Sequence, residues 1–131
     1  QEVIEKLGLE NIRAVHGRSE DLARDAAYRE KFDLCVSRAV ANLSTLSEYC
    51  LPFVQVGGGF VAYKADKAEE EIKQAEKAVK LLGGKFREDS LVEFHLPDSD
   101  MYRSLVLIYK DSATPKKFPR KAGLPSKEPL H

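Results

Sequence analysis

The chain has 131 residues, 43% apolar and 32% charged, enough for one domain that buries its own core without disulfide or metal staples. This composition excludes a disordered or fibrous chain, and no apolar run nears the roughly 18 residues that a membrane span requires. Twenty-one basic and 21 acidic side chains cancel, yet residues 110–131 carry six basic against two acidic, leaving fifteen against nineteen in residues 1–109. An acidic body with a basic tail points to an anionic partner met by one end of the molecule.

Gln1 already lies inside a helical pattern, since Val3, Ile4 and Leu7 share a helical spacing and Gly8 can stop it. The sequence is therefore expected to be a piece of a longer one. Residues 11–16 (Asn-Ile-Arg-Ala-Val-His) alternate like a short strand. Gly17-Arg18-Ser19 reads as a turn, with Ser19 as cap of a helix that carries Glu20 and Asp21 in its first turn and faces Leu22, Ala23 and Ala26 inward. Phe32-Asp33-Leu34-Cys35-Val36-Ser37 reads as a buried parallel strand. Thr45-Leu46-Ser47-Glu48 has capping-box spacing for a short helix that ends near Pro52 and Phe53.

Val56-Gly57-Gly58-Gly59 reads as a turn before a buried strand over 60–64. The clearest helix spans about 67–82, where Ala68, Ile72, Ala75, Val79 and Leu82 recur at helical spacing and Glu69/Lys73 and Glu76/Lys80 are favourable pairs. Gly83-Gly84 ends it. Residues 86–95 and 102–109 read as strands about a turn over 96–100, forming an antiparallel pair. The alternation predicts an α/β sheet with helices on both faces. After Lys110 come four of the six prolines, six basic residues counting Lys110, and few large apolar ones, which predicts a tail over 111–131 without a core of its own.

Ligands of open α/β sheets bind outside the carboxyl ends of the strands. Three segments qualify. His16-Gly17-Arg18-Ser19-Glu20-Asp21 could grip a heterocycle through an acid and backbone amides, or merely supply helix-start charge. Ser37-Arg38-Ala39-Val40-Ala41-Asn42 puts an Arg and small residues at a strand end, although Arg38 could pair with a carboxylate and Asn42 could cap the next helix. Lys64 could meet a phosphate or be a solvated strand end. In the tail, basic residues interleaved with Phe118 suit phosphates and an unpaired base, or stand solvated. The sequence lacks a Gly-rich phosphate loop of the dinucleotide or Walker kind, and no Ser-His-Asp or Cys-His set declares itself. Cys35 and Cys50 fall in core-like segments without metal-ligand spacing, so free thiols in a reducing, cytoplasmic compartment and no metal are expected.

Three runs together, Val15-His-Gly-Arg-Ser-Glu-Asp21, Val36-Ser-Arg-Ala-Val-Ala-Asn-Leu43 and Thr114-Pro-Lys-Lys-Phe-Pro-Arg-Lys-Ala-Gly123, closely resemble the 16S rRNA guanine-N7 methyltransferase family, also known as the glucose-inhibited division protein B family. The resemblance covers the whole chain. It implies a class I, Rossmann-like methyltransferase that binds S-adenosylmethionine and methylates a guanine at N7 in the 530 loop of 16S rRNA (position 527), as naked rRNA or in the 30S subunit. It implies cofactor contacts at Ser19, Glu20 and Arg38, with Ser19 where the family usually has Ala. Lys116, Lys117, Arg120 and Lys121 match its basic tail and are expected to meet rRNA.

The family's Gly-rich cofactor loop and its ribose-binding segment have no match here. The chain is expected to be the C-terminal two-thirds of the enzyme, with residues 1–110 as the C-terminal part of the methyltransferase domain, without its first two strands and with strands 4, 5, 7 and 6 contiguous. Alone it would bind the cofactor poorly or not at all, and its bare edges would favour a strand-swapped oligomer. The alternative from a different class is a non-catalytic, basic-tailed RNA-binding α/β module. A nucleotide-binding oxidoreductase fits the terminal hairpin and tail poorly.

Overall fold

The structure, a computed structural model, describes residues 12, 14–38, 41–64, 68–95 and 102–130. The expected helix over 1–7, the turn over 96–100, the Ala39-Val40 pair and His131 lie outside them. A short helix α1 (Ser19–Leu22) leads through turns to β1 (Phe32–Arg38). Helix α2 (Leu43–Cys50) and a 3-10 turn (Leu51–Phe53) precede the long strand β2 (Val54–Lys64). Helix α3 (Ala68–Leu81) is followed by β3 (Gly84–Lys85), β4 (Leu91–His95), β5 (Tyr102–Lys110) and a final turn of helix, α4 (Leu124–Lys127).

β1 lies parallel to β2, β2 lies antiparallel to β5, and β3 and β4 pair with β5 along its far side. The contiguous 4-5-7-6 arrangement expected of the later strands is thus present as β1-β2-β5-β4, closed by the antiparallel β4/β5 pair. The alternation over residues 11–16 predicts a further strand. Ile12 and residues 14–16 are in no strand, and Ile12 and Val15 are about half exposed. An extended segment becomes a strand only when a neighbour takes up its hydrogen bonds, and among the described residues none does.

The core lies on one face of the sheet. Phe60 and Ala62 of β2 and Val106 and Ile108 of β5 meet Leu43, Leu46 and Cys50 of α2 and Ala75, Val79 and Leu82 from α3 and its end. Each fully buried Phe, Leu or Ile stabilises the fold by about 1.5–3 kcal/mol. The alternate positions point the other way: Leu34 and Val36 of β1, Tyr63 of β2, and Val92 and Phe94 of β4 are 41–60% exposed. The sequence predicts helices on both faces; among the described residues they cover one face only. β1, expected to be a buried strand, turns Phe32, Leu34 and Val36 to the bare face and Asp33, Cys35 and Ser37 to the other, and none of its residues is fully buried; a short apolar run does not tell a covered face from a bare one.

Local chemistry explains the boundaries. Asn42, not Thr45, caps α2: its Oδ1 accepts the Thr45 N–H at 2.9 Å, which starts the helix earlier than the capping-box spacing predicts. Arg18, not Ser19, is the cap residue of α1, and it makes no side-chain cap. Val56–Gly59 belongs to β2 instead of forming a turn. The β1/β2 register shifts between Phe32↔Val54 and Leu34↔Gly59, so the glycines form an irregularity inside the strand. A Cβ on Gly58 would lie 2.4 Å from the Asp33 carbonyl, so only glycine permits this approach.

Candidate functional site

The carboxyl ends of the parallel strands β1 and β2 form a rim. Arg38 ends β1 with its side chain exposed, and the Ser37 hydroxyl donates to the Arg38 carbonyl at 3.0 Å. Asn42 is committed to capping α2. A cavity of about 260 Å³ opens beside Asn42, between the start of α2, Glu71 and Gln74 of α3, and Pro129 and Leu130; Arg38 does not line it.

Lys64, at the end of β2, is neither a solvated strand end nor a phosphate ligand here. It is 6% exposed, donates to the Ala41 carbonyl at 2.8 Å and pairs with Glu71 Oε1 at 2.8 Å. Glu71 Oε1 also accepts the Leu43 N–H at 3.1 Å. The lysine is withdrawn from solvent because a carboxylate and a carbonyl satisfy its ammonium inside. It ties the segment after Arg38 to α3.

Ser19 and Glu20 open α1, which packs against α2. Glu20 is 6% exposed, and its carboxylate is turned inward. Oε1 accepts the Ser19 hydroxyl at 3.0 Å and Oε2 accepts the Gly123 N–H of the tail at 2.8 Å. Burial raises its pKa, but the Gly123, Glu20 and Ser19 hydrogen bonds outweigh burial and hold the carboxyl below its ordinary value. The acid is thus committed to the tail and to its own helix start and is not offered to a flat heterocycle.

The tail is folded onto the body. Phe118 is 5% exposed and belongs to the core, so it is not available to stack on a base. Arg29 donates to the carbonyls of Thr114, Pro115 and Phe118 at 2.7–3.1 Å, and Arg24 donates to the Pro119 carbonyl. The Thr45 hydroxyl donates to the Pro125 carbonyl at 3.0 Å. Lys110, 2% exposed, donates to the Leu51 and Val54 carbonyls and to the Thr114 hydroxyl, and pairs with Glu30 at 3.2 Å. Burial pulls its pKa down, against the pull of Glu30. Arg120 lies against the buried Glu48 at 2.8 Å, and that carboxylate holds its pKa above the ordinary guanidinium value. Lys116, Lys117 and Lys121 are exposed.

The sequence reading missed Glu48, Arg29 and Glu30. No pattern signalled Glu48: it lies two residues from Leu46 and from Cys50, about 200° round the helix, on the side of α2 that the tail covers. Among the described residues no group of three His, Cys, Asp or Glu side chains could hold a metal ion, and no helix is long and apolar enough to cross a membrane.

The family described as rRNA small subunit methyltransferase G matches residues 1–101. Proteins named ribosomal RNA small subunit methyltransferase G from Lactobacillus acidophilus, Clostridium novyi and Brevibacillus brevis are 51%, 50% and 53% identical over 129, 129 and 130 residues. These alignments cover 98–99% of this chain but only 52–54% of each relative. The chain therefore spans about half the length of the curated relatives it matches, not two-thirds. In fold it is similar to the crystal structure of an rRNA methylase from Streptococcus thermophilus, with a TM-score of 0.53 at 18% identity over 85% of this chain and 64% of that one. By the residues matched and by half-identity along nearly its whole length, the chain belongs to the rRNA small subunit methyltransferase G family.

Proposed function

We propose that this chain is part of a cytoplasmic enzyme that transfers a methyl group from S-adenosylmethionine to N7 of a guanine in the 530 loop of 16S rRNA. The carrying observation is the family match, extended by relatives about half identical along almost all of the chain. Arg38 at the end of β1 and the backbone of Ser19 and Glu20 would hold the cofactor. Lys116, Lys117 and Lys121 would meet rRNA phosphates, and the fourth basic residue of that set, Arg120, is taken up below.

When bound, S-adenosylmethionine supplies an electrophilic methyl group. Guanine N7 is nucleophilic without losing a proton, so the chain's residues need only bind, orient and exclude water. The exposed Arg38 guanidinium suits an anionic or polar part of a ligand at the rim. Lys64 and Glu71 hold Ala41 and Leu43 while Asn42 caps α2, which favours a preorganised start of that helix beside the rim. Exposed lysines add non-specific, salt-sensitive attraction to the phosphate backbone.

The test is transfer of tritiated methyl from S-adenosylmethionine to 30S subunits and to naked 16S rRNA. It is run on this chain beside a full-length relative as positive control, and labelled 7-methylguanine is then mapped. Label in the 530 loop that Arg38→Ala diminishes is the expected result for a competent chain. Because this chain by itself is expected to bind the cofactor weakly, salt-sensitive RNA binding without transfer favours the second reading, a non-catalytic RNA-binding α/β module with exposed tail lysines, only where calorimetry on the same sample finds the cofactor bound. For this chain by itself, calorimetry is expected to find weak cofactor binding or none.

A further inference from the structure

We propose that Glu48 and Glu20 are positioning residues for the tail, with Arg120 as the inward anchor of a segment whose lysines face RNA. The inference rests on the rRNA reading above and assigns Arg120 a part different from that of its neighbours. Glu48 sits in α2 with its carboxylate wholly buried. A buried carboxylate is tolerated only when paired and fully hydrogen-bonded. One tail residue meets that need from several directions. Arg120 N–H reaches Glu48 Oε2 at 2.7 Å, Nε reaches Oε1 and Oε2 at 3.1 and 3.0 Å, and Nη2 reaches Oε1 at 2.8 Å. The planar guanidinium fork matches a carboxylate in a way that a lysine ammonium cannot.

Other bonds pin the same stretch. Arg120 Nη2 donates to the Glu128 carbonyl at 2.6 Å, closing the end of the tail on itself. Glu20 Oε2 holds Gly123, Thr45 holds Pro125, and Phe118 is seated in the core. Lys121 directly follows the Arg120 anchor, and Lys116 and Lys117 directly precede Phe118. The exposed lysines are therefore held at set positions on the surface. Glu20 has a double place, because its backbone lies in the segment proposed for the cofactor while its carboxylate holds the tail.

The sign of one substitution separates positioning from charge. Glu48→Gln removes a negative charge from the body. If tail lysines act only through the overall field, RNA binding should tighten or stay unchanged. If Glu48 positions the tail, binding should weaken, because a loosened segment must be ordered again on the RNA. The expected loss is about tenfold, the scale of immobilising a few side chains.

The experiment measures binding of a 530-loop RNA hairpin by fluorescence anisotropy between low and moderate salt, with trypsin cleavage of the tail followed in parallel. Glu48→Gln is expected to weaken binding and speed cleavage at the tail lysines, while circular dichroism stays that of the native chain. Arg120→Lys, which keeps the charge on the more accessible partner, is expected to do the same more mildly with an unchanged salt slope. It serves as the second variant should Glu48→Gln not fold. Unchanged or tighter RNA binding with a tail that cleaves faster would overturn the positioning role. Lys116→Ala/Lys117→Ala guards the underlying reading: if it fails to weaken binding and flatten the salt slope, the RNA-facing role of the tail falls, and the positioning role with it. If it does both while Glu48→Gln and Arg120→Lys bind as the wild type does, the RNA reading stands and only the positioning role falls.

Discussion

Replacing Phe118 by Ala tests whether the tail is an appendage or part of the domain. Phe118 is 5% exposed and lies in the same apolar cluster as Leu43, Leu46, Phe60 and Ile108. Truncation removes its transfer free energy and leaves a cavity that the neighbouring helices and strands fill only in part. For Phe→Ala in a core, the two effects together cost about 3–5 kcal/mol. A domain of this size shifts by about 3–5 °C for each kcal/mol, so the midpoint of thermal unfolding should fall by about 10–20 °C. The loss is a large share of the roughly 5–15 kcal/mol that holds a typical domain together. Thermal and urea unfolding followed by circular dichroism would measure it, with Lys116→Ala as the exposed control expected to change stability by under about 0.5 kcal/mol. A Phe118→Ala protein that melts within a few degrees of the wild type would refute the argument, for the tail would then be docked without supporting the core.

Three further outcomes follow from the described contacts. Glu20 is held below its ordinary pKa of about 4.5. Between its folded and unfolded values the unfolded chain binds more protons, so its contribution is complete above about pH 4.5 and is lost as pH falls through the folded value. Urea unfolding as a function of pH should show that slope in the wild type and a flatter profile in Glu20→Gln; equal profiles would contradict the assignment. Gly83 ends α3 with φ +91°, and a Cβ there would lie 2.1 Å from the Ser112 carbonyl oxygen, so Gly83→Ala should cost at least about 1–3 kcal/mol in the same assay. The Cys35 and Cys50 thiols hydrogen-bond each other, which lowers the pKa of Cys35 while that contact and burial push Cys50 well above its ordinary value. Iodoacetamide near pH 8 should therefore label Cys35 first by peptide mass mapping, and earlier labelling of Cys50 would overturn the order.

The elements with a strong period were legible. Helix α3 follows from Ala68, Ala75 and Val79 at helical spacing between acidic first-turn residues and Gly83. β5 and its antiparallel partner follow from alternation about a turn signal. What misled was local chemistry that admits two outcomes. Three successive glycines suit a turn, yet here they absorb a register shift between two strands, and the choice was made by Asp33 of β1, whose carbonyl the Gly58 backbone closely approaches. Thr45 and Glu48 have the spacing of a capping box, but Asn42 reached the helix start first, and Glu48 went to the interior to meet a residue 72 positions later. The rim followed the same logic. Arg38 was legible as an exposed strand-end cation, whereas Lys64 differed because Glu71, seven residues on, captured it. No short-range pattern encodes such captures.

Charge counting illustrates the same limit at the scale of the molecule. The excess of basic residues from Lys110 onward reads as charge offered to an anionic partner. The fold uses part of it internally: Lys110 on Glu30 and on buried carbonyls, Arg120 on Glu48. The acidic excess of the body is taken up in the same contacts, since Glu20, Glu30 and Glu48 all bind tail groups. The opposed charges of body and tail are thus first an intramolecular fit, and only the exposed lysines remain for a partner outside. A composition count cannot separate the two uses, because both need the same residues in the same stretch. Burial separates them: a cation that is satisfied within the protein contributes position, and one that faces water contributes attraction.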